Sequence, residues 1–73
     1  MRQIIIKNVE FRATEDMLRE HFKDAGQILR VTIKRDATGK PKGFAYMEFD
    51  TVEGAIRSKL KNETLFLGRQ ITV

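Results

Sequence analysis

The sequence predicts an α+β fold of order β-α-β-β-α-β, in which two helices cover one face of a four-stranded antiparallel sheet. Three observations predict it. Several short segments alternate apolar and polar residues, two others repeat apolar residues at helical spacing, and turn-forming residues separate them. With 73 residues, the chain has room for one small domain and is too short for a dinucleotide fold or a barrel. We therefore expect a single domain over residues 1–73.

The composition excludes several kinds of site. Cysteine is absent and there is one histidine, so we expect no disulfide, no metal centre and no cofactor. Hydrophobic residues make up 41% of the chain, which is enough for a core that rests on packing alone. No apolar run approaches the roughly 20 residues of a membrane-spanning helix. These observations favour a soluble, intracellular module that does not contact a membrane.

The first half of the chain is expected to form a strand, a helix and a second strand. The β-branched segment from Gln3 to Lys7 predicts a buried strand, and Thr14 is the expected N-cap of the helix. Gly26 suits the left-handed conformation that closes a helix. Alternation predicts the second strand over Ile28 to Arg35. The predicted buried residues are Leu18, Phe22 and Ala25 in the helix and Leu29, Val31 and Ile33 in the second strand.

The second half begins with turn-forming residues from Asp36 to Pro41, followed by a third strand over Phe44 to Phe49. Asp50 or Thr51 is expected to cap a second helix. Its predicted buried stripe is Val52, Ala55, Ile56 and Leu60, with Gly54 allowing a close backbone contact.

The last residues predict a short strand at Leu65-Phe66, a turn at Gly68 and a closing strand over Gln70 to Val73. The complete order is the split β-α-β, ferredoxin-like arrangement. Two helices can cover only one face of its sheet, so we expect the other face to meet solvent.

The third strand indicates which side chains that open face would carry. Side chains alternate between the two faces of a strand, which places Ala45, Met47 and Phe49 under the helices. Lys42, Phe44, Tyr46 and Glu48 then point to solvent. Neighbouring exposed aromatic residues are costly in water, whereas nucleobases can stack on such rings. A one-residue slip in register would instead bury both rings.

The net charge of +4 is concentrated in one part of the chain. Between residues 28 and 47 there are five basic residues and one acidic residue, while the remaining residues are balanced. A local basic surface attracts polyanions, because neutralised phosphates release counterions. A solvated basic loop without a ligand would show the same charge pattern.

The segment Lys42-Gly43-Phe44-Ala45-Tyr46-Met47-Glu48-Phe49 resembles the longer ribonucleoprotein signature of the RNA recognition motif (RRM) family at all eight positions. The resemblance implies single-stranded RNA as the partner, with contacts from Lys42, Phe44 and Tyr46. Ile5 departs from the pattern, because family members usually carry an aromatic residue there. The complete set of candidate RNA-binding residues is Gln3, Ile5, Lys7, Arg30, Thr32, Lys34, Lys42, Phe44, Tyr46 and Gln70.

Within this family, further segments resemble the nuclear poly(A)-binding branch. The segment from Leu65 to Ile71 is the most informative, because that stretch varies widely across the family. The resemblance implies adenosine-rich RNA, a role in poly(A) tail metabolism and a nuclear location. The other matching segments are His21-Phe22, Gly26, Arg30–Ile33 and Pro41–Tyr46.

Two other classes of function remain open from the sequence. Ile5, in place of an aromatic residue, makes the sheet more apolar and suits a protein-interaction or dimerisation module with weak RNA binding. An enzyme on the same layout, such as an acylphosphatase-like hydrolase, needs an anion cradle and a positioned catalytic pair. Neither feature is visible in the sequence, so we do not expect an enzyme.

Overall fold

The structure is a computed structural model that describes residues 1–73. It has the predicted α+β organisation, with two helices and an antiparallel sheet, and ends in a small β-hairpin. No helix has the length and apolar character needed to cross a membrane. The elements are β1 (Gln3–Lys7), α1 (Glu15–Phe22), β2 (Ile28–Arg35), β3 (Pro41–Phe49), α2 (Val52–Ser58), a 3-10 turn (Lys59–Lys61), β4 (Leu65–Phe66) and β5 (Arg69–Gln70).

The main sheet has three strands in the order β1-β3-β2, and both pairs are antiparallel. Tyr46 of β3 lies opposite Ile5 of β1 on one side and Thr32 of β2 on the other. This register places the third strand between the other two. Residues of β3 therefore have neighbours on both sides.

The predicted four-stranded sheet is only partly present. The chain after Gly68 pairs with Leu65-Phe66 as a separate two-stranded hairpin. Beyond that hairpin, one bridge joins Thr72 to Lys7, with backbone N–O distances of 2.8 and 3.0 Å. The predicted closing strand over Gln70 to Val73 is therefore wrong in extent. Gln70 pairs with Leu65 of β4, and its backbone carbonyl accepts a hydrogen bond from the Asn8 side chain instead of a backbone amide of β1.

Both helices pack on the same face of the sheet and enclose a core of 15 buried hydrophobic residues. Thr14 caps α1 as predicted, since its hydroxyl accepts a hydrogen bond from the Met17 amide at 3.2 Å. Thr51, rather than Asp50, caps α2 by accepting from the Gly54 amide at 3.1 Å. These caps fix where each helix begins above the sheet.

Gly26 has a different role from the one predicted. The glycines with positive φ are Gly39, Gly43 and Gly68, so Gly26 is not in the left-handed conformation. A β-carbon at Gly26 would instead lie 2.9 Å from the α-carbon of Gly54. Gly54 in turn packs against the buried ring of Phe49, as the predicted close contact requires. Gly26 therefore permits two backbone segments to approach each other.

The predicted buried stripe of α2 is largely wrong. Ile56 is 61% exposed and Leu60 is 81% exposed, and Val52 is also exposed. The helix instead buries its small residues, Gly54, Ala55 and Ser58, because it lies close to Phe49. Large side chains have no room on that side.

Leu29 in β2 is also wrongly predicted as buried, since half of it is exposed. The register of β2 against β3 shifts between Ile28 and Arg30, which marks a β-bulge. The extra residue breaks the alternation, so Leu29 turns outward while Val31 and Ile33 remain buried.

Candidate functional site

The uncovered face of the main sheet carries the side chains that the alternation of β3 predicts. Ala45, Met47 and Phe49 are completely buried, whereas Phe44 and Tyr46 are partly exposed. The predicted assignment of the two faces is therefore confirmed. A register slip, which would have buried the two rings, is absent from the β1–β3 pairing.

The two aromatic rings of this face lie next to each other. The centroids of Phe44 and Tyr46 are 6.0 Å apart, and their planes meet at 86° in an edge-to-face arrangement. The ammonium group of Lys34 lies 5.3 Å from the centre of the Tyr46 ring, and that of Lys42 lies 5.9 Å from the centre of Phe44. Each ring thus has a cation beside it, from a neighbouring strand or from its own.

The flanking strands add the remaining predicted residues in register. On β1, Lys7 lies opposite Phe44, Ile5 opposite Tyr46 and Gln3 opposite Glu48. On β2, Thr32 lies opposite Tyr46, and Arg30 lies opposite Glu48 with its Nε 3.9 Å from the Glu48 carboxylate. We name the set of side chains on this side of the sheet the open face. Its members are Gln3, Ile5, Lys7, Arg30, Thr32, Lys34, Lys42, Phe44, Tyr46 and Glu48.

The backbone of β3 is irregular near its start, next to Lys42. Gly43 has a φ of 91°, a conformation that side-chain-bearing residues rarely adopt. The pairing of β2 with β3 is irregular at the same place, between Ile33 and Arg35. The strand is therefore locally distorted beside Lys42 and regular from Phe44 onward.

The single acidic residue of the basic segment is occupied within its own loop. The Asp36 carboxylate accepts hydrogen bonds from the hydroxyl and amide of Thr38, at 2.6 and 2.9 Å, and from the Lys40 amide at 3.0 Å. These bonds, with that from the Thr38 side chain foremost, lower the pKa of Asp36. The carboxylate thus closes the turn and is not paired with Lys34 or Lys42.

Gln70 is the one predicted site residue that the structure does not bring to the open face. Its side-chain amide donates to the Glu63 carbonyl at 3.0 Å, and its own carbonyl accepts from the Asn8 side chain at 2.8 Å. The first bond lies within the C-terminal segment, and the second joins it to Asn8, the residue after β1. The sequence could not show this, because it depends on the pairing of β5 with β4.

Two residues near the open face were missed by sequence analysis. Met1 and Arg2 line a shallow depression together with Ile5, Tyr46 and Glu48. The sequence did carry a signal for Arg2, because it is a basic residue directly before a predicted strand. The exposed ring of Phe11 was also unassigned; a β-carbon at Gly43 would lie 3.8 Å from its Cε1 atom. No cluster of three or more His, Asp or Glu side chains is arranged to hold a metal ion.

The family model described as RNA recognition motif matches residues 4–72. The chain therefore belongs to the RNA recognition motif family. Solved structures agree with this fold: RNA15 RRM superimposes with a TM-score of 0.88 at 20% identity, covering 97% of this chain and 84% of that chain. The Sxl-lethal protein/RNA complex gives a TM-score of 0.88 at 27% identity, covering 97% of this chain and 45% of that one.

Among relatives, the chain is 47% identical over 73 residues to polyadenylate-binding protein 2 of Drosophila melanogaster. It is 40% identical over 72 residues to polyadenylate-binding protein 2 of Arabidopsis thaliana. Each alignment covers 99% of this chain and 33% of the relative. The chain thus spans about a third of the length of these proteins. These identities confirm the sequence resemblance to poly(A)-binding proteins.

Proposed function

We propose that this chain is a single RNA-binding domain that holds single-stranded RNA across its open face. The observation that carries the proposal is the pair of adjacent rings, Phe44 and Tyr46, on the uncovered side of the sheet with a lysine ammonium beside each. Membership in the RNA recognition motif family supports it. A base stacked on an aromatic side chain contributes about 1–3 kcal/mol, and the lysines can neutralise phosphates.

We further propose that the preferred ligand is adenosine-rich RNA, including poly(A), and that the domain acts in the metabolism of mRNA tails in the nucleus. Two observations support this class of ligand. Relatives at 40% and 47% identity are polyadenylate-binding proteins, and the alignments span nearly the whole chain. Segments outside the general family signature, such as Leu65 to Ile71, share in that resemblance.

Titration with short A-, C-, U- and G-rich oligoribonucleotides, followed by amide NMR, tests both levels of the proposal. We expect A-rich RNA to bind most tightly and to shift the amides of β1, β2 and β3. Shifts confined to the helices would contradict the assignment of the open face. A folded domain that binds none of the oligomers, yet sediments as a dimer, would favour the protein-interaction alternative suggested by Ile5.

The variant Lys42→Ala should reduce the salt dependence of RNA binding. Loss of one phosphate contact is expected to lower the slope of log K against log salt by about 0.7, the value for single strands. The matched control is Lys59→Ala, which removes another exposed lysine, from the 3-10 turn after α2. Fluorescence anisotropy between low and moderate salt measures both slopes. Equal slopes in the two variants would show that Lys42 contacts no phosphate.

A further inference from the structure

The open face carries one acidic residue, Glu48, at a position that its family signature leaves variable. A carboxylate on a surface that binds phosphates is repulsive unless it has a specific partner. The other residues of the open face are basic, aromatic, apolar or neutral. Glu48 therefore needs an explanation of its own.

The Glu48 carboxylate is available to a ligand. Its side chain is 31% exposed, and its oxygens accept no hydrogen bond within the protein. The nearest cation, the Nε of Arg30, lies 3.9 Å away, beyond hydrogen-bonding distance. Several other carboxylates are engaged: Asp36 binds its own turn, Asp24 pairs with Lys61, and Glu20 pairs with Lys23.

Glu48 also lies where the edge of a stacked base would be. It follows Tyr46 by two residues on the same face, a separation of about 6.6 Å along a strand. Two shallow depressions adjoin each other at this point, and both are lined by Gln3, Tyr46 and Glu48. A base that lies on the Tyr46 ring would therefore present one edge to the carboxylate, with the Gln3 amide beside it.

An ionised carboxylate can only accept hydrogen bonds. The exocyclic amines of adenine and cytosine are donors, whereas the corresponding position of uracil is a carbonyl oxygen. The carboxylate would bind the amines and repel the carbonyl. Arg30, close by, reduces the repulsion between the Glu48 carboxylate and RNA phosphates. It leaves the carboxylate oxygens free to accept hydrogen bonds.

We propose that Glu48 accepts a hydrogen bond from the exocyclic amine of the base on Tyr46, and so selects adenine or cytosine against uracil. This proposal rests on the proposed function and names the residue that determines its base preference. It does not require any change in the stacking positions.

The test compares the wild-type domain with Glu48→Gln, using A-rich and U-rich oligoribonucleotides and an A-rich oligomer in which purine riboside replaces adenosine. Purine riboside keeps the ring system and lacks the amine. A glutamine amide has the shape of the carboxylate but can also donate, so it tolerates a carbonyl. We expect the A-to-U affinity ratio to fall about tenfold in the variant, and wild-type protein to prefer adenosine over purine riboside by a similar factor.

The matched control is Glu53→Gln, which removes the same charge from exposed α2 on the other side of the domain. It should leave the ratios unchanged, which separates base selection from a general loss of repulsion. Ratios that stay at the wild-type value in Glu48→Gln, while RNA still binds, would overturn the role of Glu48 and leave the proposed function intact. Wild-type protein that binds none of the oligomers would overturn both.

Discussion

The double variant Phe44→Ala/Tyr46→Ala should lose most of its affinity for single-stranded RNA while remaining folded. Each ring is expected to contribute about 1–3 kcal/mol by stacking on a base, so the loss of both, about 2–6 kcal/mol, should weaken binding by roughly thirtyfold or more. The rings contact each other edge to face, so the free-energy losses of the two single variants need not be additive. Isothermal titration calorimetry with an A-rich oligomer measures the change.

The fold should survive this double substitution, because both rings lie on the open face and neither belongs to the buried core. The control is the exchange variant Phe44→Tyr/Tyr46→Phe, which keeps two rings and should bind nearly as wild type. Circular dichroism and amide NMR spectra establish that each variant is folded. Undiminished affinity in the folded double alanine variant would remove the basis of the stacking proposal.

Gly26→Ala should lower the free energy of unfolding by about 1–3 kcal/mol, the usual cost of overpacking a core. The added methyl group would lie 2.9 Å from the backbone of Gly54, which has little freedom to move because it packs on Phe49. In a domain of this size, that loss lowers Tm by roughly 4–8 °C for each kcal/mol. Thermal and urea unfolding followed by circular dichroism would measure it.

A second substitution distinguishes the two possible roles of Gly26. Asparagine tolerates the left-handed conformation better than alanine does, so Gly26→Asn would be the milder change if the conformation mattered. Because the close approach to Gly54 is what matters here, Gly26→Asn should be at least as destabilising as Gly26→Ala. A more stable asparagine variant would restore the helix-capping role.

Strand periodicity predicted the fold and the open face correctly where the ladder is regular. In β3, every second residue from Ala45 onward is buried, so alternation alone separated the rings from the core. At Leu29 the same rule failed, because a bulge between Ile28 and Arg30 adds one residue to β2 and interrupts the alternation there. A bulge of this kind has no strong signal in a single sequence.

The helices show a different limit of periodicity. Val52, Ile56 and Leu60 have the spacing of a buried stripe, yet the helix buries Gly54, Ala55 and Ser58. Helical spacing finds residues that share a face, but it does not show whether that face packs on the sheet. The ring of Phe49 fills the space that large side chains would need, and this follows only from tertiary packing.

The contact between Lys34 and Tyr46 has a consequence for the energetics of recognition. In the free protein the ammonium group already lies over the ring on which a base would stack. An incoming base would have to displace it and forfeit a cation–π attraction of about 0.5–1 kcal/mol. The released lysine, still tethered beside the ring, would then be free to meet the backbone of the same nucleotide. Release of Lys34 from the Tyr46 ring is thereby coupled to its binding of the RNA backbone.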